Sequence, residues 1–223
     1  MDAIAITLAT NNKYVGVAPL GTSLTQQQAA QLAQHPNQTP IIATDNDLAG
    51  QVAAQRDYWI LTPYQHNPRY AALPPNTDPA DLVANNQTHT LTQALNNATP
   101  LAHHLIDERF AHLPPYQAAQ QALQIIAAQP PNQWENGLQH TAQQINSHPD
   151  VLRHALTQHV TAWNQNPQQA AQKQLATINQ TKTRLAQHQP PTPTTPTAGP
   201  TTHTHEHHQP HVPGRPAPKP IRR

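Results

Sequence analysis

The sequence predicts an α/β fold with a small parallel sheet flanked by helices, followed by an all-helical extension and a disordered tail. Short apolar runs alternate with helical patterns over residues 1–99, as in small α/β domains. Residues 100–188 contain successive helical patterns separated by prolines, and no good strand pattern. Residues 189–223 contain ten prolines together with many threonines and histidines, a composition that cannot bury a core.

The predicted elements of residues 1–99 alternate from helix to strand, beginning and ending with a helix. Each helix follows a capping residue or a proline, and each strand is a short apolar run. The predicted helices are 2–10, 24–35, 48–61 and 78–84, and the predicted strands are 14–18, 41–44 and 70–73.

The extension is predicted to contain five helices, whose faces carry few large apolar residues. We therefore expect it to be only marginally stable on its own. These helices are 101–110, 116–128, 133–145, 151–163 and 168–188.

The composition limits the classes of protein that this chain can belong to. Cysteine is absent, which excludes disulfides and thiolate metal sites. No apolar run approaches the ~18 residues that a membrane span needs, and the N-terminus lacks the basic region of a signal peptide. We therefore expect a cytoplasmic protein with no membrane partner. The formal net charge of +1 gives no strong electrostatic case for nucleic-acid binding by the bulk of the chain.

Acidic residues lie at the junctions that lead into three of the predicted helices. Asp45 and Asp47 directly follow a short apolar strand, Asp78 and Asp81 follow the next strand through a turn, and Asp2 opens the first helix. The simplest interpretation is that these residues cap or open the helices, since aspartate is a favoured N-cap. The alternative is that the strand ends meet and the carboxylates share a divalent metal ion, which would neutralise their repulsion.

A second candidate site is the loop that contains Gly21 and Thr22, which lies ahead of a predicted helix N-terminus. Backbone N–H groups in such a position can bind phosphate. A plain turn with a helix cap explains the same residues equally well.

Four motifs, in this order, resemble those of the Toprim domain that bacterial primases, topoisomerases and related nucleases share. The resemblance covers residues 1–99 and is greatest to primases and to primase- or relaxase-associated proteins of actinobacterial plasmids and mobile elements. The motifs are MDAIA at 1–5, LGTSLT at 20–25, ATDNDLAG at 43–50 and LPPNTDPADL at 73–82.

The resemblance implies which residues form the site. Asp45 and Asp47 match the family's Asp-x-Asp and would hold Mg²⁺, and Asp78 matches a third acidic motif, so these three are the implied catalytic residues. Asp2 matches the last acid of the family's first motif, and Asp81 lies one position from a further aspartate found in many primases. Both are additional candidate metal ligands.

One departure from the family pattern concerns its first motif, in which a glutamate and the preceding strand come before the position of Met1. Both are absent from this chain, so we expect an N-terminally truncated Toprim domain with an unpaired sheet edge. The implied function is that of a Mg²⁺-dependent, primase-like enzyme fragment in plasmid replication or mobilisation. It would act on DNA or RNA and nucleotides together with an upstream primase or relaxase segment. Two alternatives remain open: a catalytically inactive remnant that serves as an interaction module, and a free-standing hydrolase.

Overall fold

The protein, as a computed structural model, is described over residues 1–19, 24–35, 38–45 and 47–188. Within this part, the first half contains short strands between helices and the second half is entirely helical. The elements are α1 (Asp2–Ala9), α2 (Gln26–Leu32), β1 (Ile41–Ile42), α3 (Leu48–Leu61), β2 (Arg69–Tyr70), α4 (Pro79–Ala84), α5 (Thr88–Asn96), β3 (Thr99–Pro100), α6 (Leu101–His112), α7 (Pro115–Ala128), α8 (Trp134–Gln144), α9 (Pro149–Gln165) and α10 (Pro167–His188).

The strands form one mixed sheet in the order β1-β2-β3. β1 and β2 are parallel, as predicted, and pair Ile41 with Arg69. β3, which was not predicted, is antiparallel to β2, so the small sheet is mixed where a parallel one was expected. The sequence holds no period-two signal for β3, since this strand has two residues and one of them is a proline without an N–H. Its pairing is continued by Leu101, whose N–H donates to the Pro68 carbonyl at 2.9 Å.

The prediction of a strand over residues 14–18 was also wrong. This segment lies along α1 and its inward N–H groups bond to side chains rather than to another strand. The N–H of Tyr14 donates to Thr10 Oγ1 at 3.2 Å, and that of Gly16 donates to Thr7 Oγ1 at 2.9 Å. Gly16 permits this close approach, since a Cβ at this position would lie 2.1 Å from the carbonyl oxygen of Ala3.

Helix α5 was not predicted, because threonine and asparagine in its sequence disfavour a helix interior. It forms nevertheless, with Leu91 and Leu95 buried on one face against Leu82 of α4. These side chains and the Ala71–Leu73 segment make a small core on which Ile6 and Ala9 of α1 pack. Tertiary burial therefore overrides the local preference.

A larger core joins α3 and β2 to the helices that follow residue 100. Tyr58 of α3 is fully buried, and its hydroxyl donates to the Ile125 carbonyl of α7 at 2.6 Å. Trp59 packs beside Trp163 of α9 with ring centroids 6.1 Å apart. Residues 1–188 form one compact unit, and the division into domains 1–99 and 100–188 stays a prediction.

Two other predictions concern the tail and the membrane. Residues 189–223, predicted to be disordered, lie outside the described residues. No helix in the described part of the chain is long and apolar enough to cross a bilayer.

Asp57 of α3 carries a buried carboxyl group that opposes folding when it is ionised. Burial raises the pKa of Asp57 from 3.8 to about 6, although the N–H of Leu24 and the charge of Arg56 both lower it. The pKa of Asp57 is higher in the folded state than in the unfolded state. The stability associated with the protonated carboxyl is therefore fully present below pH 3.8 and is lost as the pH rises through about 6.

We expect Asp57→Asn to raise the free energy of unfolding at pH 7 by up to about 3 kcal/mol. An amide keeps an acceptor for the Leu24 N–H and carries no charge. The gain should vanish near pH 3.5, as measured by urea denaturation. The exposed Asp150→Asn is the control, with a change below about 1 kcal/mol at both pH values. An equal effect of Asp57→Asn at both pH values would contradict this explanation.

Candidate functional site

Asp45 and Asp47 lie between β1 and the start of α3. Asp47 is the N-cap of α3, and its Oδ1 accepts the N–H of Gly50 at 2.7 Å. The hydroxyl of Thr44 donates to the Gly50 carbonyl at 3.1 Å. Asp45 lies exposed between these two anchored residues. The capping interpretation is therefore correct for Asp47, and this cap fixes Asp47 against the first turn of α3.

Gly50 is required by the packing of this segment. A Cβ at this position would lie 1.9 Å from the carbonyl oxygen of Asp45, a distance that backbone atoms cannot accept. The first turn of α3 can thus lie directly against the loop only with glycine here. Sequence reasoning assigned no role to Gly50 or Thr44, although both lie within the quoted motif of residues 43–50.

The third acidic motif has the same local structure at the start of α4. Asp78 is the N-cap, its Oδ1 accepts the N–H of Asp81 at 2.6 Å, and Pro79 occupies the first helical position. Asp2 of α1 reaches the same turn, where its Oδ1 accepts the N–H of Ala80 at 3.3 Å. This contact joins the N-terminal ends of α1 and α4, so Asp2 and Asp78 lie on one rim.

Electrostatics connect Asp45 to this rim. The pKa of Asp45 is raised, first by partial burial and then by the negative charges of Asp47, Asp78 and Asp2, while its own backbone lowers it slightly. Charges in water act only over short distances, so these three carboxylates lie near enough to repel that of Asp45. The acids of all three motifs, up to 76 residues apart in the chain, thus act on Asp45 electrostatically.

The donor chemistry of this rim fits Mg²⁺, which takes one or two carboxylates and keeps several waters. The arrangement is not a closed metal cage: within the described residues, no three His, Asp or Glu side chains are placed to hold one ion together. The caps explain this difference, because Asp47 and Asp78 each turn one oxygen toward a backbone N–H. Each of these caps uses one carboxylate oxygen, Oδ1.

Two further predicted site groups stay predictions. Asp81 is exposed on the first turn of α4, and its charge is not among those that raise the pKa of Asp45. Its role as a metal ligand stays a prediction. Gly21 and Thr22, predicted to bind phosphate, lie outside the described residues.

Comparison with known proteins identifies the part of the chain that carries this rim. A family model described as Toprim-like matches residues 1–83. The DNA primase of Campylobacter jejuni is 36% identical over 101 residues, and that of Clostridium acetobutylicum is 30% identical over 97 residues. Residues 1–83 are a Toprim domain of the primase type. The matched part covers 45% and 44% of this chain but only 16% of each of these primases.

Solved structures extend the likeness of the fold beyond the Toprim domain. The DnaG catalytic core has a TM-score of 0.56 at 24% identity, covering 68% of this chain and 51% of that one. A DnaG primase catalytic domain bound to ssDNA gives 0.56 at 23%, over 68% and 50% of the two chains. The Aquifex aeolicus primase gives 0.53 at 21%, over 68% and 36%. This chain therefore shares the fold of about half of the DnaG catalytic core, and the likeness covers more of the chain than residues 1–83.

The close packing of Gly50 against the backbone of Asp45 can be tested by substitution. We expect Gly50→Ala to lower the free energy of unfolding by about 1–3 kcal/mol and to displace Asp45, because the new methyl group meets backbone. Urea denaturation measures the first effect, and the NMR amide shift of Asp45 measures the second.

Gly137→Ala is the matched control for this substitution. Its new Cβ would first meet side-chain atoms of Ile126 and Gln129, at 2.8 and 3.0 Å, and side chains can move more easily than backbone. A loss of stability at Gly50 no greater than at Gly137, with the Asp45 signal unmoved, would contradict the packing argument.

Proposed function

We propose that this chain is part of a Mg²⁺-dependent, primase-like enzyme that synthesises primers in plasmid replication or mobilisation. DNA or RNA and nucleotides are its proposed ligands, and the cytoplasm is its proposed location. The observation that supports the proposal is that the negative charges of Asp47, Asp78 and Asp2 all act on Asp45, within a part of the chain that is a primase-type Toprim domain. A cluster of like charges is costly unless a cation neutralises it, which is the purpose we assign to it.

Each carboxylate of the rim has a distinct proposed role. Asp45 and Asp47 would hold the metal ion, with Asp47 using the oxygen that its cap leaves unoccupied. Asp78 would orient a water ligand of the ion, and Asp2 would add negative charge nearby. When bound, Mg²⁺ would neutralise and align phosphate oxygens for phosphoryl transfer, a reaction that depends on positioning and charge stabilisation.

The proposal includes a second segment that completes the Toprim domain. The glutamate of the family's first motif has no counterpart in this chain. We propose that an upstream primase or relaxase segment supplies it together with the preceding strand. This chain would then contribute the carboxylate rim and the helices that support it.

The second candidate function is that of an inactive remnant which binds a partner. One observation favours it. Asp47 and Asp78 each use one carboxylate oxygen to accept a backbone N–H at a helix cap, and the described residues contain no group of three side chains placed to bind one metal ion. The metal titration below separates the two candidates, because a remnant needs no ion on this rim.

We expect Mg²⁺ to raise the thermal unfolding midpoint of the full chain. Binding to the folded state alone stabilises it by about 2.7 kcal/mol when the ion is at 100 times its Kd. Asp45→Asn should abolish most of this rise. In the absence of Mg²⁺ the same variant should be slightly more stable than the parent at pH 7, because the repulsion that raises the pKa of Asp45 is gone.

Asp150→Asn is the control for the titration, since Asp150 is exposed on α9 and its interactions are with His148 and Arg153. It should leave the Mg²⁺ response intact. Two results would contradict the metal site and favour the inactive remnant. They are a parent chain whose unfolding midpoint does not change with Mg²⁺, and an equal loss of the Mg²⁺-dependent rise in Asp45→Asn and Asp150→Asn.

Activity is tested with this chain combined with an upstream segment that carries the glutamate. We expect template-dependent primer synthesis to fall by about 100-fold or more in Asp47→Asn, as follows from removing a charge that stabilises the transition state. Asparagine is as good an N-cap as aspartate, so the fold should survive. Full synthesis by the Asp47→Asn variant would exclude the proposed role of this residue.

A further inference from the structure

A stacked pair of histidines joins α6 to α8 and has no part in the proposed function. The rings of His103 on α6 and His140 on α8 are almost parallel, with an interplanar angle of 4° and centroids 4.4 Å apart. Nε2 of His140 lies 2.7 Å from Oδ1 of Asp107, which follows His103 by one turn of α6, and Gln144 Nε2 donates to the same oxygen at 2.7 Å. We call His103, His140 and Asp107 the α6–α8 histidine cluster.

The two rings of the cluster are not equally suited to carry a positive charge. A carboxylate accepts hydrogen bonds, so Nε2 of His140 carries the hydrogen of its bond to Asp107, and a protonated His140 keeps that partner. Nε2 of His103 is buried and has no hydrogen-bond partner within the described residues. Neutral His103 can place its hydrogen on Nδ1, whereas protonated His103 carries one on both nitrogens. Protonation of His103 therefore leaves a buried donor without an acceptor, which is unfavourable.

The charges around His103 act in the same direction. Burial lowers the pKa of His103 from 6.5, a protonated His140 lowers it further, and Asp107 raises it. One carboxylate balances one imidazolium, so two protonated rings at this distance leave a positive charge uncompensated. The stack is therefore compatible with one added proton and is opposed by a second.

No second anion acts on His103 in the described part of the chain, where the charges that shift its pKa are those of His140 and Asp107. The acids Glu108 and Glu135 on the same two helices pair with arginines instead. The other ionisable side chains on α6, α8 and the elements that pack most closely on them are His104, Arg109 and His112 of α6, Arg56, Asp57 and Tyr58 of α3, Arg69 and Tyr70 of β2, Tyr116 of α7, and Asp150, Arg153, His154 and His159 of α9.

We propose that the α6–α8 histidine cluster is a pH-sensitive switch, which holds α8 on α6 while at most one of its two rings is protonated and releases α8 when the second proton binds. This proposal does not rest on the proposed function. Release moves α8 rather than α6, because α6 also packs on α3, β2 and β3, and the N–H of Leu101 at its start donates to the Pro68 carbonyl. α8 lies between two loops and is anchored by a short buried face that includes Leu138 and Ala142.

The direction of the pH effect follows from the lowered pKa of His103. The stability associated with neutral His103 is fully present well above pH 6.5, the unfolded-state value, and is lost as the pH falls through and below it. The buried Asp57 acts in the opposite direction, and His66 and His159 act in the same one. Variants at the cluster separate these contributions, because the other three groups are unchanged in them.

The test is amide hydrogen exchange of the full chain at pH 7.5 and pH 5.5, corrected for the intrinsic exchange rate at each pH. We expect the opening constants of Leu138 and Ala142 in α8 to rise by about tenfold or more on acidification, since two like charges so close together repel strongly outside bulk water. The opening constant of Leu95, in the smaller core, should rise by less.

Three variants complete the design. His103→Phe keeps a ring for the stack and cannot be protonated, so it should remove most of the rise. Asp107→Asn keeps an acceptor for His140 and Gln144 but removes the negative charge, so it should enlarge the rise. His154→Phe, the same substitution at an exposed histidine of α9, is the control and should leave the rise unchanged.

Titration of the parent chain tests the coupling without any substitution. The Cε1–H NMR signals of His103 and His140 should each titrate in two steps, because each ring senses the proton on the other. Independent single steps for the two rings would overturn the inference. So would an α8 opening constant that does not change with pH, a rise as large in His103→Phe as in the parent, or an equal rise at Leu95.

Discussion

The N-terminal half of this protein depends on one constraint: helices α1, α3 and α4 each begin with an aspartate, and the charges of these aspartates act on Asp45. The caps of Asp47 and Asp78 satisfy backbone N–H groups of α3 and α4, and Asp2 ties α1 to α4. Helix N-termini favour negative charge, which offsets part of the repulsion between these acids. The pKa of Asp45 is nevertheless raised, first by desolvation and then by the charges of Asp47, Asp78 and Asp2, and a cation would offset that repulsion.

The helices after residue 100 support this rim through α3. Tyr58 and Trp59 fix α3 in the larger core through the contacts with Ile125 and Trp163. Asp47 thus caps one end of a helix whose other end is buried. Functional groups are held more accurately on such rigid elements than on loops alone. In this protein the helical extension shares a core with the site-bearing region, so its stability bears directly on the site.

Much of this architecture follows from the sequence, and the failures have physical causes. Helix 48–61 was predicted at both ends, because Asp47 is a strong capping residue and a proline ends the apolar pattern. β3 was missed because two residues show no periodicity, and α5 was missed because burial of Leu91 and Leu95 overrides poor propensity. The segment 14–18 has the composition of a strand but no strand beside it, and its prediction as a strand failed for that reason.

The candidate site was predictable to a different degree from the fold. Motif order indicated which acids belong together, and the structure brings Asp2, Asp45, Asp47 and Asp78 within electrostatic reach. The sequence offered helix caps and a shared metal site as alternatives, and it could not show that Asp47 and Asp78 are caps whose charges also act on Asp45. Nor could it show that a Cβ on residue 50 would lie 1.9 Å from the carbonyl oxygen of Asp45. That distance depends on how Asp45 lies against the first turn of α3.

The central claim is that the acids of three separate motifs can share one ion, and Mn²⁺ tests it directly. Mn²⁺ binds the same oxygen ligands as Mg²⁺ and broadens NMR signals near its site. We predict that the amides of residues 2, 45, 47 and 78 broaden together over one range of Mn²⁺ concentration, that excess Mg²⁺ restores them, and that Asp150 is unaffected. Broadening of these amides at separate concentrations, or to the same extent as Asp150, would contradict a shared site.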